Sequence, residues 1–245
     1  MKILNLLGPL ALFIGLGPHA FPQIRTNAVI MTGAPSWVTE SKVNKITDKI
    51  ESKLEWDIRK IQVIWHTGSG GRESFKAAHG LSDPNDAVMA FARKSDFTVH
   101  LGPKIDRTNF DKIFGHELVH VILAQKYKSA SATQAAIPSW LEEGLANYLA
   151  GYGKTDFKKL AARGNFPDFH QMIHPFGKTS ANSVSDHYEL SKALVEFIAS
   201  KCSLLELIQL SVGKNLENYL PTFCSIQDLN GEFAKWVKKK SKSMP

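Results

Sequence analysis

The 245-residue sequence lacks several features that would place it in a familiar class. It has only two cysteines, Cys202 and Cys224, which fit either one disulfide bond in an oxidising compartment or two buried free thiols. It has no cluster of basic and aromatic residues, so nothing in it indicates a nucleic-acid-binding protein. The glycine-rich stretch at 68–71 is not followed by a phosphate-binding pattern, and it is predicted to be a flexible loop.

The sequence also lacks an uninterrupted run of about 20 apolar residues, the length that a membrane-spanning helix needs. Residues 1–20 come closest, with Lys2 before a mostly apolar stretch that glycines and prolines interrupt. This pattern predicts an export signal, and a retained N-terminal anchor is the alternative. Either interpretation places residues 21–245 outside the cytoplasm, in the periplasm or secreted. Without residues 1–20 the net charge is +6, which favours anionic surroundings such as cell-wall polymers or membrane headgroups.

The periodicity of the apolar residues predicts one α+β domain over residues 21–245. Short alternating or apolar runs predict strands at 28–31, 60–66, 86–92 and 97–101. Helical spacing predicts helices at 36–54, 109–125, 137–151, 185–198, 204–212, 215–219 and 226–237. The order of these segments predicts a small N-terminal sheet followed by a mostly helical C-terminal half.

Residues 116–120 carry the motif His-Glu-Leu-Val-His inside the predicted helix at 109–125. His116 and His120 lie one helical turn apart, so both imidazoles can reach one metal ion. Glu117 lies about 60° around the helix axis from His120, where it can take a proton from water at the metal. The alternative is that both histidines are ordinary, partly buried side chains on a packed helix.

A second helix, predicted at 137–151, supplies a third candidate ligand. Ser139 and Glu142 have the spacing of a capping box, and Gly151 marks the helix end, so a structural role accounts for Glu142. No capping role accounts for Glu143, which precedes a glycine that would let two helices approach closely.

The two segments together resemble the gluzincin metallopeptidases. The second motif of that family, Trp-Leu-x-Glu-Gly-x-Ala, matches residues 140–146. The resemblance implies that Glu143 completes a zinc site with His116 and His120, and that Glu117 is the general base. It also implies a zincin-like fold in which an edge strand of the sheet binds the substrate backbone.

The sequence departs from this family at two places. The acidic residue that often lies four positions after the ligand glutamate is replaced by Asn147, whose amide oxygen could still orient a histidine. The Gly-x-Met-Glu-Asn strand of the aminopeptidase branch is also missing before His116, and 86–93 is the nearest stretch. The resemblance is therefore closer to small bacterial peptidases of the same clan than to aminopeptidases.

The helix predicted at 185–198, capped by Ser183 or Ser185, offers a further catalytic group. Members of the clan use a tyrosine or histidine on a later helix to donate a hydrogen bond to the oxyanion. Tyr188 is the predicted donor, with His187 as its alternative. A tyrosine that only packs and keeps its hydroxyl in water is the competing interpretation.

The sequence thus predicts a zinc metallopeptidase that acts on peptides or proteins. Two rivals remain open. One is a zinc hydrolase of a non-peptide carbonyl compound, because the same site would activate water for either bond. The other is a zinc-stabilised binding protein with little turnover, although the presence of Glu117 argues against a non-catalytic role.

Overall fold

The computed structural model describes residues 23–80, 88–129, 137–164, 166, 167, 169, 181–212 and 214–243. Its strands are β1 (Ile24–Arg25), β2 (Val29–Thr32), β3 (Ile61–Trp65), β4 (Ala90–Arg93) and β5 (Thr98–Leu101). Its α-helices are α1 (Glu40–Leu54), α2 (Gly71–His79), α3 (Phe110–Ser129), α4 (Ser139–Ala150), α5 (Phe157–Arg163), α6 (Ala181–Ala199), α7 (Leu204–Ser211), α8 (Tyr219–Phe223) and α9 (Leu229–Ser243). A 3₁₀ turn at Leu216–Asn218 precedes α8.

The five strands form one mixed sheet in the order β1-β2-β3-β5-β4. The central strands β2, β3 and β5 are parallel, and Val63 of β3 pairs with Met31 on one side and Val99 on the other. Strands β1 and β4 join antiparallel at the two edges. The sheet lies near the N-terminus and the later helices follow it, as the predicted α+β class requires.

The two faces of the sheet differ in what covers them. Met31, Val63 and Val99 are fully buried on the face against which the long helices pack, and α3 contacts β4, β5 and α1. Fifteen of the twenty α3 residues are buried, so α3 is the central helix of the core. On the opposite face α2 lies against β5.

Long lysine side chains join the helix ends. Lys53 Nζ on α1 donates to the Leu149 carbonyl at 2.7 Å, near the C-terminus of α4. Lys126 Nζ on α3 donates to the Leu54 carbonyl at 3.0 Å, at the C-terminus of α1. A cation at a helix C-terminus satisfies a carbonyl that lacks an intrahelical partner and is favoured by the helix dipole. The two contacts therefore tie α1, α3 and α4 together.

Most of the predicted elements are present with shifted ends, but the α-helix predicted at 215–219 is wrong: a 3₁₀ turn at Leu216–Asn218 is followed by α8 from Tyr219. The helix predicted at 36–54 begins at Glu40, because Thr39 caps it through a bond from the Lys42 N–H. The glycine-rich loop at 68–71 leads into α2, which the sequence analysis did not predict. The α6 helix begins at Ala181, so the predicted cap at Ser183 or Ser185 is wrong. The C-terminal helix also runs further than predicted, to Ser243.

The two cysteines form a disulfide bond. Cys202, just after α6, is bonded to Cys224, at the end of α8, across a separation of 22 residues. Of the two alternatives left open by the sequence, the disulfide is therefore the one that the structure contains. The predicted signal segment, residues 1–20, lies outside the described residues. Among the residues described, no helix combines the length and apolarity that crossing a bilayer would require.

A buried histidine pair lies between α2 and the sheet. Nε2 of His66 is 3.0 Å from Nδ1 of His100, and Nδ1 of His66 is 2.9 Å from the Ser74 hydroxyl. One ring can donate an N–H to the lone pair of the other only while at least one of the two rings is neutral. Burial, reinforced by His66, lowers the pKa of His100 from 6.5 to about 4.

Acid should therefore destabilise the fold through His100. Below pH 6.5 the unfolded chain binds more protons than the folded chain, so the free energy of unfolding falls as the pH falls towards about 4. At about 1.36 kcal/mol per pKa unit, we expect the free energy of unfolding to fall by about 3 kcal/mol more in the wild type than in His100→Asn between pH 7 and pH 4. Urea unfolding at the two pH values measures this difference. Equal losses in both proteins would contradict it.

Candidate metal centre

Two packed helices carry the candidate ligands. α3 presents His116 and His120 one turn apart, and α4 presents Glu143 opposite them. The helices approach closely at Gly115, where an added Cβ would lie 3.4 Å from the Ala150 side chain. The sequence analysis predicted this ligand group, and the structure brings all three side chains together.

The three ligand atoms form a small triangle. Nε2 of His116 and Nε2 of His120 are 3.1 Å apart, and they lie 3.3 Å and 3.5 Å from Oε2 of Glu143. A tetrahedral zinc ion with bonds of about 2.0–2.1 Å separates its ligand atoms by about 3.3–3.4 Å. The observed spacing is therefore compatible with one metal ion that has bonds of about this length.

Hydrogen bonds on the far side of each ring fix which nitrogen faces the centre. Nδ1 of His116 is 2.9 Å from the Asn147 amide oxygen, and Nδ1 of His120 is 2.9 Å from Glu142 Oε1. Both partners are acceptors, so each Nδ1 carries a proton and each Nε2 is the nitrogen that faces the centre. The amide of Asn147 thus orients His116, as the sequence analysis suggested it could.

The three candidate ligand atoms converge on one point between α3 and α4. Oε2 of Glu143 is buried and makes no hydrogen bond of adequate geometry to the described residues. Buried polar atoms without partners are rare in folded proteins, and a cation bound among them removes their cost. This group could hold a metal ion.

The predicted capping box at the start of α4 is wrong. Pro138 occupies the N-cap position, and no side chain caps the helix. Glu142 instead accepts from His120 and forms an ion pair with Lys94, whose Nζ lies 2.6 Å away. Charge-assisted bonds to these two groups are stronger than a bond to a backbone N–H, so the carboxylate turns away from its own helix end. Sequence spacing alone could not show this, because Lys94 is distant along the chain.

The carboxylates give the site a surplus of negative charge. Burial lowers the pKa of His120, but Glu143 and Glu142 outweigh it and raise the pKa well above its ordinary value. In the same way, burial opposes ionisation of Glu143, while His120 and His116 hold its pKa far below the usual range. The ligand group therefore favours a positive charge at its centre.

Glu117 lies beside the ligands in a drier environment. Its side chain is buried, and this burial raises the pKa of its carboxyl group, although His116 and His120 oppose the shift. The backbone N–H of Ala92, on edge strand β4, donates a hydrogen bond to it. A carboxylate with a raised pKa beside the candidate metal ligands is suited to accept a proton and to return it.

Two tyrosines flank His116. The ring centroid of Tyr188 on α6 is 6.4 Å from that of His116, and the ring of Tyr152 is 6.2 Å from it. Burial, followed by the charges of Glu143 and Glu117, raises the pKa of Tyr188, so its hydroxyl keeps its proton. The structure therefore places predicted Tyr188 at the site and adds Tyr152. The sequence analysis missed Tyr152 because it follows the glycine that ends α4, outside the helix motif.

The comparisons with known proteins do not add to this description: no protein-family model matches the chain, and no curated protein matches it significantly.

Gly144 sets how closely α6 can approach α4. A Cβ added there would lie 2.7 Å from Val195 Cγ2 and closer still to the Ser191 carbonyl oxygen. We expect Gly144→Ala to destabilise the protein by about 1–3 kcal/mol, as overpacking does. Gly115→Ala is the matched control, because its new methyl group meets only ordinary contacts and gains helix propensity. Thermal unfolding tests the pair, and equal melting temperatures would refute this account.

Loss of Glu143 should remove one of the three ligands. Loss of an outer-shell partner costs up to about 100-fold in metal affinity. Because Glu143 would contact the metal directly, we expect Glu143→Ala to weaken zinc binding by at least about 100-fold. Competition with a chromogenic chelator gives the dissociation constant. Glu189→Ala is the control, since Glu189 is similarly buried on α6 and bonds to the Asp156 N–H instead. Unchanged zinc affinity in Glu143→Ala would remove Glu143 from the ligand set.

Proposed function

We propose that this protein is a zinc-dependent metallopeptidase of gluzincin type that hydrolyses peptide bonds outside the cytoplasm. The observation that carries the proposal is the convergence of three ligand atoms within 3.5 Å of one another, with a buried carboxylate next to them. Two imidazoles and one carboxylate are a donor set of catalytic zinc sites, which leave a fourth position for water or substrate. The proposed zincin-like fold rests on the same helices.

The chain supplies most of the chemistry with its own residues. When bound, zinc supplies a Lewis acid that lowers the pKa of water and polarises the substrate carbonyl. Glu117 accepts a proton from the attacking water and passes it to the leaving amine. Its raised pKa suits the first step, because a more acidic carboxyl group would be a weaker base towards the attacking water.

Hydrogen-bond donors near His116 can stabilise the negative charge that develops on the carbonyl oxygen. Tyr188 is the proposed donor, since burial and the nearby carboxylates keep its hydroxyl protonated. Tyr152 flanks the same histidine and provides a second hydroxyl group on this side of the ligands.

Edge strand β4 is the proposed binding place for the substrate backbone. β4 pairs only with β5 in the described sheet, so its outer edge has unpaired backbone groups. The Ala92 N–H of this strand donates to Glu117, which places the edge directly beside the proposed base. A peptide that adds to this edge as an extra strand would bring its backbone next to the metal centre.

The disulfide supports an oxidising, extracytoplasmic location. Such bonds are rare in the cytoplasm and common in exported proteins. The apolar N-terminal segment supports the same proposal, and the basic surface fits anionic envelope polymers or lipids.

Substitution of the proposed base should separate catalysis from metal binding. We expect Glu117→Gln to retain zinc but to lose at least about 100-fold in the rate of peptide cleavage, the low end of the contribution of general base catalysis. The measurement uses purified zinc-loaded protein and a fluorogenic peptide library, with Glu189→Gln as the matched control.

The outcomes distinguish the proposal from its rivals. Full cleavage by Glu117→Gln would refute the mechanism. A wild-type protein that binds zinc and cleaves no peptide would favour a zinc-stabilised binding protein, or a hydrolase of another carbonyl compound.

A further inference from the structure

Lys94 follows edge strand β4 and begins a chain of polar contacts that ends at a metal ligand. Its Nζ is 2.6 Å from Oε1 of Glu142, and the same oxygen is 2.9 Å from Nδ1 of His120. The side chain of Lys94 is 33% exposed and that of Glu142 is 17% exposed, so the ion pair is partly shielded from water.

We propose that Lys94 is a positioning residue of the metal centre: it holds Glu142 against His120 and thereby strengthens zinc binding. The inference rests on the proposed zinc site, but not on the bond that the enzyme cleaves. It adds the residue that follows edge strand β4 to a site whose candidate ligands all lie on helices.

The position of Glu142 on α4 explains why it needs a second partner. It lies in the first turn of the helix, whose N-cap residue, Pro138, makes no side-chain cap bond. A carboxylate there is well placed to turn back and cap its own helix. The ammonium group of Lys94 holds the carboxylate in the other direction, towards His120.

The charges around Glu142 also predict that Lys94 strengthens zinc binding. Glu142 and Glu143 are adjacent carboxylates, and both are largely shielded from water. A shielded carboxylate without a counter-charge is costly, and it gains from any movement towards solvent. Lys94 compensates Glu142, so that Glu143 and the two imidazoles remain available for the metal.

The other candidate ligand histidine, His116, is oriented without a charged partner. His116 is oriented by Asn147, an uncharged amide that lies on α4 itself. An amide needs no counter-charge to remain in place, so this side of the site does not depend on the sheet. The orientation of His120 depends on a contact between α4 and Lys94, the residue after β4.

The experiment measures zinc affinity by chelator competition in Lys94→Met, which keeps the length of the side chain and removes its charge. We expect its dissociation constant to rise about 10-fold, the lower end of the range for loss of an outer-shell partner. Lys94→Arg should stay within about threefold of the wild type, because it can keep the ion pair. Circular dichroism verifies folding, and Lys94→Gln replaces Lys94→Met if that variant does not fold.

Lys42→Met is the matched control. Lys42 is 29% exposed and pairs at 2.9 Å with Asp111, which is 59% exposed, so Lys42→Met loses a more exposed ion pair that does not contact a candidate ligand. If Lys94 had only a structural role, Lys94→Met would lower the melting temperature of the metal-free protein, as we expect of Lys42→Met. It would then leave the zinc dissociation constant unchanged.

A double-mutant cycle tests the route through Glu142. Glu142→Gln keeps an oxygen that can accept from His120, as Asn147 does for His116, but it removes the charge that Lys94 pairs with. We expect Lys94→Met to change zinc affinity less than about twofold in the Glu142→Gln background, because the two residues act as one unit.

The outcomes separate this inference from the proposed function. Zinc binding by the wild type with no effect of Lys94→Met overturns the role of Lys94 alone, and so does an undiminished effect in the Glu142→Gln background. A wild-type protein that binds no zinc overturns both. A 10-fold loss of zinc affinity in a protein that cleaves no peptide supports the role of Lys94 while the proposed peptidase activity fails.

Discussion

The close packing of α3 against α4 is the constraint on which the site depends. It forces two imidazole nitrogens and one carboxylate oxygen to within 3.5 Å of one another, with all three atoms directed at the same point. Such an arrangement is unfavourable by itself, since buried acceptors without donors lose their hydration. The surrounding core holds it in place: α3 is buried along most of its length, and lysine side chains tie the ends of α1 and α4 to their neighbours.

The sheet contributes to the site through one edge. Strand β4 provides the Ala92 N–H that bonds to Glu117, and the residue after the strand, Lys94, reaches the partner of a ligand histidine. The proposed base and one ligand therefore both depend on how β4 lies against the helices. A peptide bound along this edge would contact the same strand, so substrate binding and the geometry of the centre share one element.

Local chemistry was predictable from the sequence, and contacts between distant segments were not. The spacing of His116, Glu117 and His120 fixes their positions on one helix, and the resemblance at 140–146 identified Glu143. The interpretation of Glu142 failed because a capping box considers only neighbours along the chain, whereas Lys94 and His120 offered stronger bonds. The α2 helix was missed because its short sequence follows glycines and has few apolar residues, and it is held by contacts with the sheet.

The charges around the candidate ligands would suit a divalent cation. Three carboxylates, Glu117, Glu142 and Glu143, lie in or beside the ligand group, and Lys94 offsets one of them. Two negative charges then remain, which one divalent ion would neutralise. Without a metal the protein meets the same need with protons, because the pKa values of both Glu117 and His120 are raised. A bound metal ion would compete with these protons for the same centre, so the affinity for the proposed zinc ion should rise with pH as these groups lose their protons.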